Sequence, residues 1–261
     1  MIRMLVGALA VVALSAQAQP PATPPPPQPA CPEMATALQT LMRNDARLRD
    51  WPLLARYRDA NAALTPPAAA ESRVVFMGDS ITDNWQQPRY GGFFPGKPYV
   101  DRGISGQTTP QMLLRFRPDV LALKPKVVVI LAGTNDLNSN TGPATDAEIQ
   151  GNLQSMAELA RANGIKVVLS SIMPTSAYHA APTAVPQTTL RPMSRIRVIN
   201  DWMKAYAAAN GHVYLDYFSA MVDQSGVMRS ELTADDLHPN AEGYAVMAPL
   251  AEAAIQAALK R

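Results

Sequence analysis

Beyond residue 72, short runs rich in β-branched residues alternate with longer stretches in which apolar side chains recur every three or four positions. The short runs fall at Val74 to Met77, Tyr99 to Asp101, Lys126 to Leu131, Lys166 to Ser170 and Val213 to Leu215. Their near-continuous apolar character predicts strands buried on both faces, since a strand with one wet face alternates polar with apolar residues. The longer stretches predict helices over Pro110 to Leu123, Thr145 to Asn163, Ser194 to Asn210 and Ala241 to Leu259, with Asn163-Gly164 and Asn210-Gly211 as helix stops. Five strands alternating with helices imply a parallel sheet covered on both sides.

Ahead of the first strand, Leu38, Leu41 and Met42 share a helical face, Pro52 interrupts, and Leu53, Leu54 and Tyr57 resume the pattern. Residues 33–66 therefore read as a two-helix lead-in packed on a domain of residues 67–261. Residues 19–32, QPPATPPPPQPACP, carry too much proline for helix or sheet and predict an extended linker. Before them, Arg3, the apolar run Met4 to Leu14 and Ala16-Gln17-Ala18 have the three parts of a secretory signal, residues 1–18, which predicts a secreted or periplasmic protein. That run is shorter than the roughly 20 residues a bilayer requires, so stable membrane insertion is not expected. Cys31 follows the proline tract rather than the apolar run, which argues against lipid attachment there.

The length suits one α/β core, and a single cysteine rules out an internal disulfide. The net charge is +2 with the basic residues scattered, so no nucleic-acid partner is expected and a small neutral or weakly anionic one fits better. One connection is unusual. Residues 172–192 show no period and include prolines 174, 182, 186 and 192, which predicts a wall of a substrate pocket.

Ligands of open parallel sheets bind beyond the carboxyl ends of the strands, where strand order reverses; for the order 2-1-3-4-5 that place lies between strands one and three. Strand one ends in Gly78-Asp79-Ser80, strand two runs into DRGISGQTT, and strand three ends in Gly133-Thr134-Asn135-Asp136. A serine there becomes a nucleophile only if a base takes its proton, and a histidine steered by a carboxylate is the usual base. Of the three histidines, only His238, in TADDLHPNAEG, has a carboxylate at useful spacing, Asp235. His179 reads as a loop residue and His212 as a surface residue, with no metal-ligand spacing around either and no cofactor implied. Asp79 and Asp136 read as turn-forming residues. Trp85 and Tyr90 either line a pocket or pack on the lead-in helices, and Arg191, Arg195 and Arg197 read as a solvated face.

Gly78-Asp79-Ser80, GISGQTT, Gly133-Thr134-Asn135-Asp136 and Asp235-x-x-His238-Pro239 resemble, in order, the four blocks of the SGNH (GDSL-type) hydrolases. The similarity spans about residues 73 to 250 and is nearest to bacterial secreted esterases and the catalytic subunits of platelet-activating-factor acetylhydrolase. It implies a flavodoxin-like three-layer α/β/α sandwich. It also implies Ser80 as nucleophile, His238 as base, Asp235 rather than Asp236 as its partner, and an oxyanion hole from the N–H groups of Ser80 and Gly106 and the Asn135 amide. Asp101 departs from the asparagine common in relatives, which bears on a local loop contact. The implied activity is hydrolysis of short acyl esters, acetyl above all, on small molecules or carbohydrate. A lipid-directed esterase, lysophospholipase or thioesterase, and a non-catalytic saccharide-binding or cell-surface module, are the alternatives.

Overall fold

In a computed structural model that describes residues 31–261, five parallel strands form one sheet in the order β2-β1-β3-β4-β5. The expected signal, residues 1–18, and residues 19–30 of the expected linker lie outside the described residues. The chain divides into two units at Asp45 and Ala46, inside helix α1, Cys31–Arg49. That helix starts two residues before the expected lead-in boundary at residue 33, and Met34, Leu38, Leu41 and Met42 are exposed along it.

In the second unit, α2 (Arg58–Ala63) precedes β1 (Val74–Gly78) and α3 (Ser80–Trp85). Then come β2 (Tyr99–Gly103), α4 (Thr109–Asp119), β3 (Val127–Leu131), α5 (Thr134–Leu137), α6 (Asp146–Ala162) and β4 (Lys166–Ser170). The chain ends through α7 (Gln187–Leu190), α8 (Met193–Ala209), β5 (Val213–Leu215), α9 (Tyr217–Met221) and α10 (Ala241–Leu259). No described helix is long and apolar enough to cross a membrane.

Alternation along each strand sends its side chains into two cores. Val75, Met77, Val128, Ile130 and Leu169 pack beneath α4, α6 and α8, while Val74, Phe76, Val127, Val129 and Val168 pack against α3, α9 and α10. Both faces are dry along β1 and β3, which is why those strands carry no polar side chain, whereas β2 includes Asp101 and Arg102 and β4 begins at the exposed Lys166. At about 1.5–3 kcal/mol for each fully buried large aliphatic side chain, these two layers dominate the stabilisation. Trp85 belongs to the second of them. It packs edge-on to Phe76 and Phe93 and against Tyr244, rather than on the lead-in or in an open pocket.

Two expectations from the sequence are corrected by burial. His212 is 7% exposed, against Tyr206, and so is not a surface histidine. Arg191 is 4% exposed, its Nε donating to the Thr134 carbonyl, so it is not part of a solvated face.

Asp101, on β2, accepts a 2.7 Å hydrogen bond from the Gly103 N–H, so an aspartate at this position makes a local loop contact. Burial pushes its carboxyl up from 3.8 to about 7. A carboxyl raised on folding contributes stability that is complete below the unfolded value near 4 and is lost as pH rises through the folded value near 7. Asp101→Asn keeps the acceptor and removes the titration. The melting temperature of that variant is expected to exceed the parent's by about 2–4 °C at pH 8, with the gap closing towards pH 4; an equal difference at both values would contradict this origin.

Candidate active site

The ends of β2, β1 and β3 lie side by side, with Gly78 in register between Gly103 and Leu131. No side chain fits at Gly103, where a Cβ would meet the Asp83 backbone nitrogen at 2.1 Å. The chain after β1 therefore closes tightly over β2, and helix α3 begins at once with Ser80. Asp79 caps that helix, accepting from the Ile81 N–H at 3.0 Å, and the Tyr244 hydroxyl donates to the Ile81 carbonyl at 2.7 Å. Asp79 is fully buried. Burial raises its carboxyl to about 6, against the lowering effects of the Ile81 N–H and of the His238 and Arg191 charges.

Ser80 Oγ lies 2.9 Å from His238 Nε2, and His238 Nδ1 lies 2.7 Å from Asp235 Oδ2. Asp235 also accepts, through Oδ1, from the backbone N–H groups of His238 at 2.7 Å and Leu237 at 3.1 Å. Partial burial pushes the Asp235 carboxyl up, but the hydrogen bonds from His238 and its charge prevail and hold it well below the usual carboxylate range. A fixed anion behind the imidazole favours the tautomer whose Nε2 accepts from a serine hydroxyl.

Asp236, the neighbour set aside in favour of Asp235, has a separate task. It is buried at φ +69°, accepts from Ser176 Oγ at 2.5 Å and from the His179 N–H, and its carbonyl accepts from the Ser176 N–H. These bonds fasten the loop carrying His238 to the start of the segment 172–192. That start is buried support; the exposed part of the segment comes later, from Ala177 onward.

Gly106 has φ +80°, a conformation that glycine adopts freely and other residues rarely. Asn135 Nδ2 donates to the Gln107 carbonyl at 3.0 Å, and Asn140 Nδ2 donates both to the Gly106 carbonyl at 3.0 Å and to Asn135 Oδ1 at 3.1 Å. Asn135 thus stands beside Gly106 with its amide orientation set and its second amide proton unspent. Asp136 is a structural anchor, taking the Thr109 N–H and hydroxyl at the start of α4. Among the described residues no cluster of three His, Cys, Asp or Glu side chains is placed to hold a metal.

Sequence reading missed the residue beneath this arrangement. Arg115 is completely buried and donates to the Gly78 carbonyl at 3.0 Å, the Arg102 carbonyl at 2.9 Å, Asp119 Oδ2 at 3.1 Å and Gln107 Oε1. The signal was there: Arg115 and Asp119 occupy the same stripe of α4 as the core residues Met112 and Phe116. A charge at a core position of a helix needs a buried partner.

A model of the GDSL-like Lipase/Acylhydrolase family matches residues 76–246. The crystal structure of a GDSL-like lipase from Bacteroides thetaiotaomicron is 42% identical, with a TM-score of 0.71 over 78% of this chain and 98% of that one. Esterase TesA of Pseudomonas aeruginosa is 29% identical over 67% of this chain and 83% of its own. Platelet-activating factor acetylhydrolase IB subunit alpha2 of Homo sapiens is 27% identical over 71% of this chain and 77% of its own. A shorter match, 38% identical, spans 29% of this chain and 32% of the uncharacterized lipoprotein YqeF of Bacillus subtilis.

Replacing Arg115 by Met keeps the aliphatic stem but leaves the buried Asp119 carboxylate without its countercharge, with the Asn61 amide as its remaining partner, and takes one donor each from the Gly78 and Arg102 carbonyls. Urea unfolding of Arg115→Met is expected to show a loss of about 3–5 kcal/mol; a loss under about 1 kcal/mol would show that the clamp is dispensable.

Proposed function

We propose that this chain, which belongs to the GDSL-like Lipase/Acylhydrolase family, is a serine esterase that hydrolyses short acyl esters, acetyl above all, with carbohydrate esters as the expected substrates. The observation that carries the reading is the unbroken run from Ser80 through His238 to Asp235, at 2.9 and 2.7 Å.

In this mechanism His238 Nε2 takes the Ser80 proton as Oγ attacks the ester carbonyl carbon, and the carbonyl π electrons move onto oxygen. The N–H groups of Ser80 and Gly106 and the second amide proton of Asn135 receive that oxyanion. Collapse of the tetrahedral species expels the alcohol, which leaves with the proton from His238. Water then attacks the acyl carbon as His238 takes its proton, and the second tetrahedral species collapses by breaking the bond to Ser80 Oγ, which regains the proton from His238 as the carboxylic acid departs. Asp235 stays ionised throughout, because its carboxyl lies below the usual range, and so stabilises the imidazolium. Each aimed oxyanion donor contributes roughly 10²–10³ in turnover. Export through the leader at residues 1–18 completes the reading and suits a relative described as a lipoprotein.

Initial rates on p-nitrophenyl acetate, butyrate and octanoate test it. The parent protein is expected to cleave the acetate most efficiently, with kcat lowered by about 10⁴ or more in Ser80→Ala and His238→Ala. Undiminished activity in Ser80→Ala would end the serine mechanism, and a preference for octanoate would move the substrate to the lipid class.

A further inference from the structure

Trp51 is an exposed aromatic residue on an unusually firm mount. Its carbonyl accepts from Gln111 Nε2 at 2.7 Å, and the carbonyl of Pro52 accepts from Gln107 Nε2 at 2.8 Å. Both glutamines are buried, at 9% and 2% exposure. The Asp50 carboxylate accepts from the Leu54 and Ala55 N–H groups at 2.7 and 2.9 Å and so closes the turn that carries the indole. Gln107 is also the residue whose carbonyl holds the Asn135 amide. The mount of Trp51 and the mount of the oxyanion donors therefore share one residue.

Trp51 remains 39% exposed and borders two cavities. One, of about 380 Å³, is lined by Trp51, Leu53, Ser105, Gly106, Asn140 and Thr141 among others. The second, of about 560 Å³, shares Trp51 and Thr141 and continues past Pro143, Glu148 and Asn152. Both volumes fall in the range of small-molecule sites, roughly 300–1,000 Å³.

Their chemistry narrows the occupant. Among the described residues no Lys, Arg or His lines either cavity, so none of them offers a countercharge to an anionic headgroup. Leu53 is, among the described residues, the one aliphatic side chain lining the cavity beside Gly106, too little for an acyl chain. What remains is a flat aromatic plate edged by hydroxyls and amides. Ser105 Oγ donates to Asp83 Oδ2 at 2.6 Å, leaving its lone pairs to accept from a ligand hydroxyl. A pyranose offers the complement: an apolar C–H face to lie on the indole and a rim of hydroxyls to bond around it.

We infer that Trp51 is the stacking plate of a saccharide subsite that begins at Gly106, the nearer cavity taking the esterified sugar ring and the farther one its neighbour. The inference rests on the serine-esterase reading for its catalytic consequence and on cavity chemistry for its ligand.

Two measurements test it. The first is the ratio of kcat/KM on acetylated xylobiose to kcat/KM on p-nitrophenyl acetate. Trp51→Ala is expected to lower this ratio about tenfold, mainly through KM on the sugar ester, and Trp51→Phe to restore most of it. A parent protein that cleaves the aryl ester but ignores acetylated xylobiose, an equal loss on both esters, or a Phe variant no better than the Ala variant, would overturn the subsite while leaving the esterase reading intact. The second is independent of turnover: calorimetric titration of xylotriose into Ser80→Ala protein. Binding weakened about tenfold by adding Trp51→Ala supports the subsite even if no ester is cleaved. Absence of binding in the parent background, or binding unaffected by Trp51→Ala, overturns it.

Discussion

The carbonyls at the ends of β1 and β2 converge on one cation: the guanidinium of Arg115 donates to those of Gly78 and Arg102 and to the Gln107 side chain, the Gly78 carbonyl also accepting from the Ile104 N–H. A buried cation is costly unless every donor finds a partner, and Asp119 supplies the countercharge four residues along the same helix. Satisfying that cation fixes the ends of β1 and β2 and the loop after β2 with respect to one another. Ser80 and Gly106 leave from those ends. Their separation is therefore set by a buried core contact rather than by the loops that carry them.

The histidine arrives from the other end of the chain, 158 residues after the serine, and needs its own restraint. Asp236 provides it through the Ser176 and His179 bonds, leaving Asp235 free to face the imidazole. Two adjacent aspartates thus divide the work, one locking the loop and one steering the ring. The carboxyls near the serine and the histidine are shifted in opposite directions by different causes. Burial raises the Asp79 carboxyl to about 6, whereas at Asp235 burial is outweighed by the hydrogen bonds and charge of His238, which hold it well below the usual carboxylate range, so Asp235 is the more firmly ionised of the two.

The sheet was legible because burial on both faces leaves a continuous apolar run; β4, β5 and α10 fall on the residues their sequence patterns mark. Helices α3 and α5 were not, since six and four residues are too few to show a period. The second lead-in helix was expected from Leu53 but starts at Arg58, because Asp50 caps a turn there and Leu53 takes φ +55°. Ser80, Asp235 and His238, joined here by hydrogen bonds, could be picked out as candidates from motif and spacing, as could the neighbours Gly106 and Asn135. Arg115, Asn140 and Asp236 could not, because their importance lies in partners far off in sequence. Trp51 escaped notice for a related reason: only the fold brings the lead-in turn to the strand-two loop.

The central claim is that Ser80 is a nucleophile activated by His238, and covalent labelling tests it most directly. Incubation with a fluorophosphonate followed by peptide mass spectrometry is expected to place a single adduct on Ser80, absent from Ser80→Ala and formed far more slowly in His238→Ala. Folded protein that takes up no label, or carries it on another residue, would contradict the account.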